Sequence, residues 1–315
     1  MPNKPILVVL EPEDFSREAR RIMSTRYVLK DYEGRSVPDA KAVIGGLKHR
    51  LDEEFLSGFT SLKVVSSVTT GLNHVDLRYL EQRKIRLVSL TDVRDQIMNV
   101  SSTAEMALAL ILALGRRVVQ SSRNVVDAGG WDRMSFFVPG LRGKTLGIVG
   151  YGRVGSQVEV MAGALGVKIL AFDPDAFVPA SIRRRSLPEL LEDSDIITLH
   201  ADYRGSMIFG LNELRHCKKG AMLINTARGE LVDEEAIAQA IGSQMLSGYA
   251  ADVATGENSE LWELEEDPLV SLARSGYNVI LTPHLGGCTT EAFEATQKAL
   301  AHYLVKTDFP GIKPA

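Results

Sequence analysis

Short apolar runs alternate with amphipathic stretches along nearly the whole chain, a rhythm that predicts parallel sheets clothed by helices. Residues 6–10, 42–44, 62–68 and 85–90 are apolar runs of strand length. Helix-period segments lie between them: one opens near Glu13 and carries Phe15, Ala19 and Ile22, and others fall around 52–58 and 76–83. Residues 101–119 carry the strongest helical signal, with Ser101 or Ser102 available as cap and Glu105 near the third position. Its apolar residues are dense enough to predict a connecting helix buried nearly all round. A loop with Trp131, Phe136, Phe137 and Pro139-Gly140 follows. A second series of strands is then expected near 145–149, 167–172, 195–200, 221–225, 248–253 and 279–282, with helices at 188–192, 211–217 and 233–241. The amphipathic segment 289–305 has no strand of its own to cover, so it is expected to return to the first lobe.

Residues 145–173 organise the rest. An apolar run with Leu146, Ile148 and Val149 enters Gly150-x-Gly152-x-x-Gly155, a helix-period segment follows, and a second apolar run ends on Asp173. This is the strand, turn, helix, strand and acid of a dinucleotide fingerprint in its required context. Gly150 permits the turn, Gly152 lets backbone approach a pyrophosphate, and Gly155 lets the helix pack close to the sheet. A carboxylate at Asp173 accepts hydrogen bonds from ribose hydroxyls and repels a 2′-phosphate, and Pro174 and Asp175 follow it with no Arg or Ser. NAD is therefore expected over NADP. The fold class predicted is α/β: two Rossmann-like doubly wound parallel-sheet domains with a cleft between them. Residues 1–98 plus 288–315 would form a discontinuous substrate-binding domain, and 99–287 the NAD-binding domain.

Composition narrows the partners. A chain of 315 residues with a net charge of −4 offers no electrostatic footprint for nucleic acid or an anionic membrane. Its two cysteines, Cys217 and Cys288, provide neither a disulfide framework nor zinc spacing, so no metal is expected. The N-terminal apolar run is too short for a secretory segment and the run 104–114 too short for a membrane span, which makes the cytoplasm the expected location. No G-x-S-x-G elbow of a hydrolase appears.

Three polar residues fall just beyond predicted strands, where ligands of open α/β sheets bind: Arg228 in I-N-T-A-R-G-E, Glu257 in A-D-V-A-T-G-E and His284 in L-T-P-H-L-G-G. Arginine offers a charged fork for a carboxylate, histidine carries protons near neutrality, and a neighbouring glutamate would orient it and raise its pKa. With a nicotinamide nearby, the set describes hydride transfer to a 2-oxo acid. Each residue alone also has an ordinary structural explanation, and the residues by themselves leave the reaction open.

The chain resembles the D-isomer-specific 2-hydroxyacid dehydrogenases over nearly its whole length. The resemblance is carried by T-T-G-L-N-H-V-D-L (69–77), S-S-T-A-E-M-A-L-A-L-I-L-A-L (101–114), the fingerprint and I-I-T-L-H (196–200). It continues in G-A-M-L-I-N-T-A-R-G-E-L-V-D-E (220–234), A-A-D-V (250–253) and N-V-I-L-T-P-H-L-G-G (278–287). The resemblance implies that Arg228 holds the substrate carboxylate and carbonyl, that His284 is the general acid/base, and that Glu257 is its partner. It places Asp252, Thr226 and Ala227 at the nicotinamide carboxamide, Arg153 and Val154 at the pyrophosphate, and Thr103, His200 and Gly287 near the cofactor. Thr70 and Gly71 would offer N–H groups to the substrate carboxylate. It also implies a homodimer built through 101–119 and the aromatic loop 131–137.

Some features depart from the family pattern. Asn258 stands where a proline usually follows the catalytic acid, and 257–267 reads as an acidic insertion, with Glu260 as the alternative to Glu257. The stretch 91–100 is longer than the usual connection, and Arg183, Arg184 and Arg185 replace an apolar position near the adenine. Lys48, with Arg50, is a candidate to reach an anionic distal group of the substrate; a solvated charge pair is the alternative. Against phosphoglycerate, Ser67 stands where some such enzymes carry arginine, and no regulatory domain is expected after residue 315. Ser66, Ser67, Thr69 and Thr70 suggest a polar pocket. The expectation is an NAD-dependent 2-oxo acid reductase acting on a small polar or anionic 2-hydroxy or 2-oxo acid. The alternative is an NAD(H)-sensing corepressor-like scaffold on the same fold.

Overall fold

The computed structural model describes residues 4–184, 186–257, 262–309 and 312. The chain divides into two compact units, one of Met1–Val100 with Thr289–Ala315 and one of Ser101–Cys288.

The first unit is built on five parallel strands: β1 (Ile6–Val9), β2 (Val28–Asp31), β3 (Ala40–Gly45), β4 (Val64–Ser67) and β5 (Arg86–Val88), in the order β2-β1-β3-β4-β5. Helices α1 (Arg17–Ser24), α2 (Glu53–Leu56) and α3 (Leu77–Gln82) connect them. Both sheet faces are covered, which is why the central strands read as continuous apolar runs. Leu7 and Val9 point into one core while Val8 points into the other, with Val43 and Val65. Strand β2 escaped the hydrophobic pattern because it is an edge: Val28, Lys30 and Asp31 are exposed. The helix expected near Glu13 begins later. Residues Pro12–Asp14 form a single 3-10 turn, and Ser16 caps α1 by accepting the Ala19 N–H. The long connection after β5 is wound into 3-10 turns over Leu90–Ile97, opened by a reciprocal Ser89–Asp92 capping box.

The second unit begins with α4 (Ser102–Gly115) and α5 (Val118–Ala128). These replace the single helix expected over 101–119. The apolar stripe ends at Arg116-Arg117, Arg117 turns left-handed (φ 51°), and the chain restarts in a new direction. Nor is α4 buried all round, since Leu112 reaches solvent. Ser101 does not cap the backbone; its hydroxyl donates to Glu105 Oε1 at 2.5 Å.

Six parallel strands follow: β6 (Thr145–Val149), β7 (Lys168–Phe172), β8 (Ile196–Leu199), β9 (Ala221–Asn225), β10 (Leu246–Ala251) and β11 (Val279–Leu281). Their connections carry α6 (Arg153–Gly163), α7 (Leu187–Asp193), α8 (Leu211–Leu214), α9 (Glu234–Gly242) and α10 (Pro268–Arg274). The order β11-β10-β9-β8-β6-β7 reverses at β6, with β8 on one side and β7 on the other. That reversal makes the crevice at the carboxyl end of β6 the natural ligand site of this sheet. Beyond β7 the sheet continues, among the described residues, as one bridge, Ala171 to Arg183.

The chain then returns to the first unit with α11 (Thr290–Lys306), whose Leu300 and Leu304 are fully buried beside Leu7 and Val9. Polar side chains fasten it. Gln297 donates to the Asp14 carbonyl and accepts the Ser16 N–H, both at 2.7 Å. The buried Arg26 donates to the carbonyls of Val305 and Thr307 at its C-terminal end. Among the described residues no single helix is long and apolar enough to cross a membrane.

Candidate active site

At the carboxyl end of β6 the backbone turns with Gly150 at φ +90°, where a Cβ would lie 2.6 Å from the His200 carbonyl carbon and the Ala201 nitrogen. A Cβ on Gly155 would overlap the Gly150 carbonyl oxygen, so α6 packs on the turn only because both are glycine. Gly152 is the extended residue before α6 and, as a glycine, brings no capping side chain of its own to the helix that opens at Arg153 and Val154. A helix start of this kind, with its N–H groups directed outward along the axis, suits an anion.

Asp173 ends β7 and stabilises the same turn. Its Oδ2 accepts the Tyr151 N–H at 2.7 Å, and Oδ1 accepts those of Asp175 and Ala176 at 2.9 and 2.8 Å. Burial pushes its pKa up, but these three N–H groups and the nearby Arg204 outweigh burial and hold it below the ordinary value. The carboxylate is therefore ionised and keeps lone pairs for a ribose hydroxyl. Glycine turn, helix start and ionised acid together fit a dinucleotide.

The next polar groups follow β8 and β9. His200 meets Thr198 Oγ1 through Nε2 at 3.0 Å and Thr226 Oγ1 through Nδ1 at 3.3 Å. Burial pushes its pKa down to about 3, so the imidazole is neutral. Asn225 folds the turn after β9, accepting the Ala227 N–H at 3.0 Å and donating to the Arg228 carbonyl at 2.8 Å. Gly229 lets this turn press on the one after β10, since a Cβ there would overlap the Ala254 and Thr255 backbone. That contact brings Arg228 within electrostatic reach of Glu257. Burial pulls the Arg228 guanidinium below its ordinary pKa while Glu257, Glu230 and Asp202 push it back up, so it stays charged.

Glu257 receives the Ala254 N–H on Oε2 at 3.1 Å, and its Oε1 lies 2.5 Å from His284 Nδ1. A carboxylate only accepts, so Nδ1 carries the proton and Nε2 is the ring atom left to face a substrate. His284 itself is left-handed, at φ 56°. Asp252, 1% exposed, holds it there by accepting from Thr282 Oγ1 (2.5 Å), Leu285 N (2.8 Å) and Gly286 N (2.6 Å). Thr103 donates to the Gly286 carbonyl at 3.2 Å, and a Cβ on Gly287 would meet nothing.

Three of the expected residues belong to the first unit. Lys48 is paired with Glu13 and Asp14 at 2.7 and 2.9 Å, and Arg50 with Asp52 at 3.1 Å. Thr70 is exposed, and the Gly71 carbonyl accepts from Thr69 Oγ1 at 2.7 Å. The sequence reading overlooked Glu11, a buried carboxylate that receives the N–H groups of Gly46 and Lys48. An acid placed directly after a strand was the signal. Asn225 and Thr282 were missed because their work is to shape turns. Of the arginine run, Arg184 pairs with Asp193 at 3.0 Å, while Arg185 lies outside the described residues, as do Asn258 and Glu260.

Residues 108–286 match the NAD-binding domain of the D-isomer specific 2-hydroxyacid dehydrogenases. The chain belongs to that family. The matched NAD-binding domain spans the glycine turn at Gly150–Gly155 and Asp173. The chain is 35% identical over 267 residues to the D-3-phosphoglycerate dehydrogenase of Haemophilus influenzae, an alignment covering 83% of this chain but 63% of that enzyme. It is 31% identical over 284 residues to the glyoxylate reductase of Thermococcus litoralis, covering 85% and 81% of the two chains. Among solved structures, the D-lactate dehydrogenase of Aquifex aeolicus complexed with NAD and lactic acid is similar at 26% identity and a TM-score of 0.78, covering 98% and 100%.

Proposed function

We propose that this member of the family reduces small polar 2-oxo acids to D-2-hydroxy acids with NADH, and runs the reverse oxidation. The observation that carries the reading is the Glu257–His284 pair with the Arg228 guanidinium within electrostatic reach of Glu257: a cation, an acid and an imidazole drawn from three strand ends. When bound, the nicotinamide supplies or takes up the hydride. Arg228 binds the substrate carboxylate and draws electron density from the C2 carbonyl. His284, protonated at Nε2, gives its proton to the C2 oxygen as that atom becomes an alkoxide. In oxidation the neutral ring takes the proton back. Glu257 fixes the tautomer and stabilises the imidazolium. Asp252 positions the loop from which His284 projects.

The similarity to a glyoxylate reductase and a D-lactate dehydrogenase supports a small substrate. Ion pairs already engage Lys48 and Arg50, so neither supports a phosphorylated one. We also assign a homodimer, on the strength of Val126, Trp131, Met134 and Phe137, all strongly exposed on α5 and the following loop. A monomeric mass in sedimentation would refute that assignment. Two unpaired thiols, Cys217 and Cys288, suit a reducing cytoplasmic compartment.

The deciding experiment follows NADH absorbance with a panel of 2-oxo acids graded in size and charge. Turnover on a small member, lowered by about 10²–10⁴-fold in His284→Ala, is expected. Tight NADH binding with no turnover across the panel would overturn the enzymatic reading.

A further inference from the structure

The loops that follow β7 and β8 rise on either side of β6, so anything joining them crosses the mouth of the nucleotide crevice. One ion pair does so: Arg204 Nη1 lies 2.6 Å from Asp175 Oδ2. Both side chains are well exposed, at 70% and 57%, so the pair adds little to stability and its placement is what calls for explanation. It stands beside Asp173, the acid that addresses the ribose. The field at Arg204 comes from Asp175 first, then Asp202 and Asp173. One guanidinium is thus bonded to one carboxylate, with two more within electrostatic reach, beside the acid that in this reading meets the ribose hydroxyl of NAD, where NADP carries a phosphate.

We propose that Arg204 is a latent receptor for a 2′-phosphate and that Asp175, by holding its guanidinium, keeps the site selective for NAD. The inference rests on the NAD reading of the fingerprint and deepens it. A free arginine here would offer the forked donors that phosphate prefers. Engaged by Asp175, it presents no unpaired charge, and the remaining acids repel the phosphate. Selectivity is then divided between two residues: Asp173 accepts from the ribose, and Asp175 silences the nearby cation.

Calorimetric titration of NADH and NADPH tests this without relying on turnover. Asp175→Ser should bind NADPH at least about tenfold more tightly than the unaltered protein, the worth of one charge-assisted bond, with NADH affinity changed less than about threefold. Asp175→Asn, which keeps the shape without the charge, should move in the same direction. In the double variant Asp175→Ser, Arg204→Ala the gain should vanish. If the double variant gains as much as the single one, relief of repulsion explains the change and Arg204 has no such role. Failure of both Asp175 variants to gain would overturn the proposal as well. If the unaltered protein took up neither dinucleotide, the NAD reading itself would fall, and this inference with it. Thermal unfolding of each variant should match the unaltered protein, as expected for exposed side chains.

Discussion

Replacing Asp252 by asparagine is the most exacting test of how the His284 loop is held. The aspartate accepts three donors, and two of them, Leu285 N and Gly286 N, belong to the residues directly after His284. An asparagine oxygen in the place of Oδ1 can still accept from Thr282 Oγ1 and Leu285 N. Its amide nitrogen would then face the Gly286 N–H across 2.6 Å, donor against donor, at a site 1% exposed. Losing one charge-assisted bond and stranding a buried donor predicts a destabilisation of about 2–3 kcal/mol. Both tryptophans, Trp131 and Trp262, lie in the second unit, so urea unfolding followed by their fluorescence reports the right part of the molecule. Relief of the clash would move the loop and displace His284, lowering kcat by about tenfold or more, since small misplacements of a proton carrier are costly. A variant within about 0.5 kcal/mol of the unaltered protein, the usual range for neutral surface changes, would show that the carboxylate does not hold the loop.

Other consequences can be checked independently. His200 is depressed from 6.5 to about 3 by burial, so the unfolded chain takes up a proton that the folded one refuses as the pH falls below 6.5. Its contribution is present above that value and is lost progressively toward the folded pKa, reaching about 2 kcal/mol near pH 5 as a ceiling, because the residue keeps some solvent contact. His200→Gln should lose less stability than the unaltered protein between neutral pH and about pH 5 in urea titrations, and equal losses would contradict a neutral, desolvated ring. Gly155→Ala places a methyl group on the Gly150 carbonyl, so a destabilisation of about 1–3 kcal/mol is expected. Calorimetry should show weaker NADH binding in the same variant, and unaltered affinity would mean that the turn absorbs the methyl without moving.

The alternation of short apolar runs and amphipathic segments was sufficient to read the parallel sheets, because strands covered on both faces must be apolar throughout. The fingerprint was equally legible, since Gly150 and Gly155 answer to local backbone demands that no other residue meets. Placing Arg228 and His284 at strand ends needed no more than strand boundaries, whereas preferring Glu257 to Glu260 drew on the family resemblance. What the pattern could not carry was anything decided by neighbours distant in sequence. Strand β2 is an exposed edge and shows no apolar run, and the helix expected over 101–119 breaks at Arg117. Lys48 looked available for an anion until Glu13 and Asp14 were found beside it. The hold of Asp252 on the His284 loop and the Asp175–Arg204 pair across the crevice both join segments that only the folded sheet brings together. Periodicity reports what each residue prefers to face, whereas partners are chosen by the path of the chain in space.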